Sequence, residues 1–280
     1  MSELKIKDGD ATDKYLGTVG TGATGDPYHN IPALFELEVA KGNVVGHTPF
    51  QKYGKNPDVG TGGLEDIWNG GSLFTGFPTG AAETMEVFSS SANDTAAGTG
   101  ARTLTIYNLL DDTGAEMPNI TVTLNGTTPV SLGAGLYYRG GTRMKVITAG
   151  STGANEGTLT LRHTTTTTNI FAVMPTLANQ TAILAYTVPL GKTLYIKASF
   201  GMSRASGAAG SAVVSLRNRL FGTDTVFNSS VAPAITDDSK YRGNYYFKYL
   251  ERTDVKGRAD SVSDTSTIVT GEFEGYLIDN

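Results

Sequence analysis

The chain has 280 residues, 35 of them Gly and none Cys, with 18% charged residues and a formal net charge of −5. This polar but sparsely charged make-up excludes a coiled coil and an acidic disordered tail, and the lack of Cys excludes disulfides and thiolate metal centres. An acidic chain whose densest basic group is "RNR" at 217–219 repels phosphate backbones, so no nucleic-acid partner is expected. No apolar run approaches the roughly 20 residues of a membrane helix, so no membrane partner is expected either.

The opening "MSELKIKDGDATDKY" has no apolar core and does not read as a secretory signal. Residues 1–70 differ from the rest. Gly and Pro interrupt every element in "GTVGTGATGDP" (17–27) and "GNVVGHTPFQKYGKNPDVGTGG" (42–63). Only "ALFELEVA" (33–40) could hold a short element, where Phe35, Leu37 and Val39 alternate with Leu34, Glu36 and Glu38 in a strand-like pattern. So little periodicity cannot close a core. A flexible tail and an arm ordered against another subunit both fit. The apolar points Phe35, Leu37, Val39, Phe50, Tyr53 and Trp68 favour the arm, because a pure linker is poorer in them.

From about residue 80 the pattern is β. "TMEVFS" (84–89), "RTLTIYNL" (102–109) and "NITVTLNG" (119–126) alternate apolar residues with Thr, the signal of half-buried strands. Asn125-Gly126 reads as a hairpin turn. "RMKVITA" (143–149), "GTLTLRHT" (157–164) and "NIFAVMP" (169–175) complete a first set. The Gly-rich "SSSANDTAAGTGA" (89–101) is followed by a strand rather than a helix, so it reads as a connection and not a phosphate cradle. A second set runs from about 180 through "TLYIKASF" (193–200), "SAVVSLRNRLF" (211–221), "NYYFKYLE" (244–251) and "TIVTGEFEGYLID" (267–279). Gly271 and Gly275 within the last strand predict close backbone approach. The expected fold is all-β: an extended N-terminal arm (1–70) followed by two tandem antiparallel, jelly-roll-like β-sandwich domains (71–176 and 177–280).

A search for chemistry finds little. His29, His47 and His163 lack metal-ligand spacing. "GMSRA" (201–205) lacks the final Gly of a nucleophile elbow, and "LGKT" (190–193) lacks the upstream Gly of a phosphate loop and reads as a turn. Asp111–Asp112 and Asp237–Asp238 could be carboxylate machinery or calcium ligands, but both lie in turn contexts. In "YYFKY" (245–249), Tyr245, Phe247 and Tyr249 share one face and suit cross-strand packing, with sugar stacking as the alternative. "HTTTTTN" (163–169) reads as an edge strand or solvated loop. No catalytic, cofactor or metal residue is assigned.

The segments "ELEVAKGNVVGHTPFQKYGKNPDV" (36–59), "EDIWNGG" (65–71), "TGFPTGAAETMEVFSSSANDTAAGTGARTLTI" (75–106), "VTLNGTTPV" (122–130), "GTLTLRHTTTTTNIFAVMP" (157–175) and "YTVPLGKT" (186–193) resemble a family of structural proteins of tailed-bacteriophage virions. The resemblance covers well over half the chain and fades toward its C-terminal half. It implies a non-enzymatic accessory head protein of the decoration or cement kind, made in the host bacterial cytoplasm and ending in the virion. Its partners would be the major capsid protein and further copies of itself, a trimer at shell three-fold positions being a natural arrangement. Phe35, Phe50, Tyr53 and Trp68 would then be apolar anchors, with Leu37 and Val39 beside them. A tail or fibre component that contacts host surface glycans, and a glycan-degrading enzyme, are the competing classes.

Overall fold

The computed structural model describes residues 35–62, 64–77, 83–133, 142–204, 210–220, 226–231, 233–236 and 240–280, together with two short paired strands near the N-terminus. The chain divides into two units, Met1–Pro49 and Phe50–Asn280. In the first, β1 (Ile6–Lys7) pairs antiparallel with β2 (Asp13–Lys14).

The alternation over 33–40 predicts a strand, but the structure has helix α1 (Phe35–Ala40). Glu, Leu and Ala are strong helix formers, and six residues are too few for period 2 to outweigh them. The helix stops in a Schellman motif: Gly42 takes φ 76°, its N–H donates to Val39 O, and Asn43 N–H donates to Glu38 O. A left-handed residue at this position ends a helix at little cost only if it is Gly.

The larger unit is all-β with antiparallel sheets. Its first strands are β3 (His47–Val59, beginning just before the unit boundary), β4 (Glu65–Asp66), β5 (Met85–Ser89), β6 (Ala101–Tyr107), β7 (Ile120–Thr123), β8 (Val130–Ser131), β9 (Arg143–Ala149), β10 (Leu159–His163) and β11 (Ile170–Met174). There follow β12 (Ala185–Thr187), β13 (Lys192–Arg204), β14 (Ser211–Leu220), β15 (Asn228–Val231), β16 (Ala234–Thr236), β17 (Lys240–Arg242), β18 (Phe247–Tyr249), β19 (Thr253–Val262) and β20 (Thr267–Asp279).

Among the described residues these make four sheets, ordered β11-β10-β5-β8, β7-β6-β9, β12-β19-β14-β15 and β17-β13-β20-β3; β4 adds to β19, β16 to β14 and β18 to β13. Alternation explains why these segments are strands. On β13, Leu194, Ile196, Ala198 and Phe200 are buried while Tyr195, Lys197 and Ser199 lie outside. Thr side chains form cross-strand hydroxyl pairs, Thr103 with Thr148 at 2.6 Å and the buried Thr105 with Thr121 at 2.7 Å.

Two apolar cores result. One gathers Met85, Val87, Leu104, Ile106, Leu159 and Phe171; the other gathers Leu194, Ile196, Val214, Leu216, Val255 and Phe273. Two short segments feed both. Ile67 enters the second core and its neighbour Trp68 the first; Leu184 enters the second and its neighbour Ile183 the first. These segments lie against each other, with Trp68 bridged to Ile183 and Leu184 N–H donating to Ile67 O at 2.9 Å. Residues 183–186 alternate between the cores, Ile183 and Ala185 entering the first and Leu184 and Tyr186 the second, after residues 179–181 have paired back onto β9 through Val146–Asn179 and Thr181–Met144 hydrogen bonds. The four sheets also describe a four-bladed, propeller-like arrangement, so strand order alone does not yield tandem sandwiches.

Candidate functional site

The six apolar residues picked from the sequence are divided between the two units, Phe35, Leu37 and Val39 in the first and Phe50, Tyr53 and Trp68 in the second. In the N-terminal unit, Phe35 and Leu37 on α1 are each 48% exposed, whereas Val39 is buried. Val45, just beyond the helix, is 94% exposed. The Phe35 ring meets His47 edge-on at 5.8 Å. Asn43 and Lys41 both reach the Glu38 carboxylate, at 2.6 and 2.9 Å, and hold it below the usual carboxylate range. The unit thus presents Phe35, Leu37 and Val45 from a short, well-terminated helix and the turn that follows.

Phe50, Tyr53 and Trp68 belong to the larger unit. The Phe50 ring lies 4.6 Å from Tyr186 and packs on the second core. Trp68 is 5% exposed in the first core; its ring meets Phe74 at 5.1 Å and its indole N–H donates to Ser72 O at 3.2 Å. Trp68 is thus committed to the first core, and Phe50 is partly buried against the second. Tyr53 points outward from β3, 48% exposed.

Three polar constellations escape a linear reading. The first explains the Gly-rich loop between β5 and β6. Asp94 is fully buried and accepts from Ser89 Oγ (2.5 Å), Ala101 N (2.7 Å), Glu156 N (2.9 Å) and Gly157 N (2.8 Å). A Cβ at Gly100 would run into the Asp94 carboxylate, so Gly is needed there for close approach. Glu156 in turn accepts from Thr152, Thr99 and Asn93, which hold its carboxyl low. The loop is a knot that ties two loops together.

The second is Asp66 with Lys256, 2.7 Å apart and both buried. Phe74 N–H also donates to Asp66 Oδ2 at 2.6 Å. Lys256 Nζ lies 4.4 Å from the Phe227 ring centroid. Burial pushes the Asp66 carboxyl up and the Lys256 ammonium down, their mutual attraction opposing both shifts. The third is Lys52, 7% exposed on β3, with Nζ 5.9 Å from the Tyr186 ring. Burial, helped by the charge of Arg143, pushes its ammonium down to about 7.

The candidates for chemistry resolve into turns. Asp111 Oδ1 accepts from Thr113 N, Thr113 Oγ1 and Ala115 N, the capping bonds of an Asx-type turn. His163 Nδ1 accepts from the backbone N–H of Thr165 and Thr166 at 3.1 and 3.0 Å. In the aromatic run, Phe247 packs on the second core and Tyr249 belongs to it, while Tyr245 is 83% exposed. His29 and Asp237–Asp238 lie outside the described residues. Among the described residues no group of three or more His, Asp or Glu could hold a metal ion. No protein-family model matches the chain, and no curated protein matches it either.

Proposed function

We propose that this chain is a non-enzymatic structural protein of a tailed-phage virion, a decoration or cement protein that adheres to the outer surface of the head through its N-terminal segment. The observation that carries this reading is the set of unburied apolar side chains Phe35, Leu37 and Val45 in the N-terminal unit. Apolar residues left in water are the natural anchors of an interface. The body is read as two tandem antiparallel sandwiches, supported by its two apolar cores. The major capsid protein and other copies of this chain are the partners that the sequence resemblance implies, and binding only to the assembled shell would stabilise that shell by mass action. The test is occupancy on phage particles lacking the protein. Phe35→Asp with Leu37→Asp should abolish loading while leaving the thermal midpoint unchanged; loading at wild-type occupancy would refute the reading.

A second reading, contact with host surface glycans from a tail or fibre, is favoured by the exposed rings of Tyr53, Tyr245 and Tyr246 on the larger unit.

A further inference from the structure

The outer face of the sheet β17-β13-β20-β3 has an arrangement that core packing does not require. In register, Tyr195, Lys197, Ser199 and Gly201 of β13 stand beside Tyr276, Glu274, Glu272 and Thr270 of β20. On the other flank, Arg242 and Lys240 of β17 stand beside Ser199 and Gly201. The small residues Ser199, Gly201 and Thr270 leave a hollow of about 280 Å³, walled by Tyr53 and Glu272 on one side and by Lys240 and Arg242 on the other. Six residues along β13, about 20 Å at the strand rise, the face ends in rings: Tyr246 lies 6.0 Å from Tyr276, with Lys197 Nζ 4.6 Å above the Tyr246 ring.

The chemistry of this strip selects its occupant. In the walls of the hollow Lys240 and Arg242 balance Glu272 and Glu274, with Arg242 3.4 Å from Glu274, and beyond the hollow Lys197 adds one positive charge where it lies on the Tyr246 ring. An anion would meet two carboxylates and a cation two basic groups. An apolar surface would take Lys240, Lys197 and the Arg242–Glu274 pair out of water, along with Glu272 and its Gln51 donor at 2.6 Å, and would offer no new partners. A neutral polyhydroxyl ligand meets none of these costs, since each hydroxyl both donates to carboxylates and accepts from ammonium and guanidinium groups. The C–H faces of pyranose rings suit the tyrosines at either end, and the length of the strip suits a chain of rings rather than one.

We propose that this face, from Tyr53 and the Ser199–Gly201 hollow to Tyr276, binds a neutral oligosaccharide. The proposal rests on the second reading above and is independent of shell binding.

The experiment uses the full-length protein, titrated calorimetrically with cellohexaose, chitohexaose and maltohexaose, and with a heparin hexasaccharide as the anionic comparator. At least one neutral hexasaccharide should bind. Tyr53→Ala and Tyr276→Ala should each weaken it about tenfold, and Ser199→Trp, which fills the hollow from outside the core, should abolish it; all three should keep the wild-type thermal midpoint. Neutral-sugar binding that survives all three variants would overturn this site while leaving glycan contact standing. Binding of the heparin fragment alone would overturn the neutral class. Binding of none would overturn both the site and the glycan reading, and would leave the head-decoration reading as it was.

Discussion

Residues 35–49 and residues 50–77 look alike in composition: aromatic and aliphatic side chains scattered among Gly and Pro. Their fates differ for most of these residues. In the first stretch Phe35, Leu37 and Val45 remain in water and Val39 is buried; in the second Val59, Ile67, Trp68, Phe74 and Phe77 are buried, while Tyr53, Leu64 and Leu73 stay exposed. The difference lies in what the backbone can pair with. Phe50–Val59 runs as part of β3 beside β20, and Ile67 exchanges backbone hydrogen bonds with Gly257 and Leu184. The first stretch folds into a six-residue helix closed by its own cap. An apolar residue in a Gly-rich segment becomes core where a strand is available to receive it, and stays exposed where local structure satisfies the backbone first.

Substitutions can break that contrast. Trp68→Ala should cost about 3–5 kcal/mol in urea denaturation, as a large ring removed from a packed core does; a loss under 1 kcal/mol would place Trp68 with the exposed set. Asp94→Ala leaves Ala101, Glu156, Gly157 and Ser89 without their acceptor and should cost about 2–4 kcal/mol by the same measurement.

Lys52 sharpens the contrast from within β3. Its ammonium loses its proton at about 7 when folded, against 10.5 for a free side chain. Between those values the unfolded chain binds more protons, so this group makes stability rise with pH across that window. Lys52→Met should therefore be more stable than wild type at pH 7, with the gap in thermal midpoint closing toward pH 10. At the small end, Phe35→Ala and Leu37→Ala should each stay within about 0.5 kcal/mol of wild type, with binding to phage particles as their readout.

Much of the fold was legible. "NITVTLNG" and "TLYIKASF" announce β7 and β13 by strict alternation. Asn125-Gly126 does turn the chain, with Gly126 at φ 60° and Thr128 N–H donating to Asn125 O, but it closes no hairpin: β7 pairs with β6 and β8 with β5, so the turn carries the chain from one sheet to another. Gly271 and Gly275 sit where a Cβ would strike Leu184 and the Tyr195 carbonyl. Helix α1 was not legible, because its six residues fit two periods at once. The role of Asp94 was hidden for a different reason: two of its donors are backbone N–H groups of Glu156 and Gly157, more than 60 positions away, and a backbone donor leaves no mark on residue identity. The oligosaccharide strip was half visible. Tyr195, Lys197 and Ser199 alternate on the wet side of β13, but nothing local to them tells that Glu272, Glu274 and Tyr276 arrive alongside.

The paired crossing of Ile67–Trp68 with Ile183–Leu184 has a mechanical corollary. The halves of the larger unit are linked by two ties side by side, not like beads on one string. A pull applied to either half is divided between both ties, and a protease that severs one leaves the pieces travelling together under native conditions, to part only in denaturant.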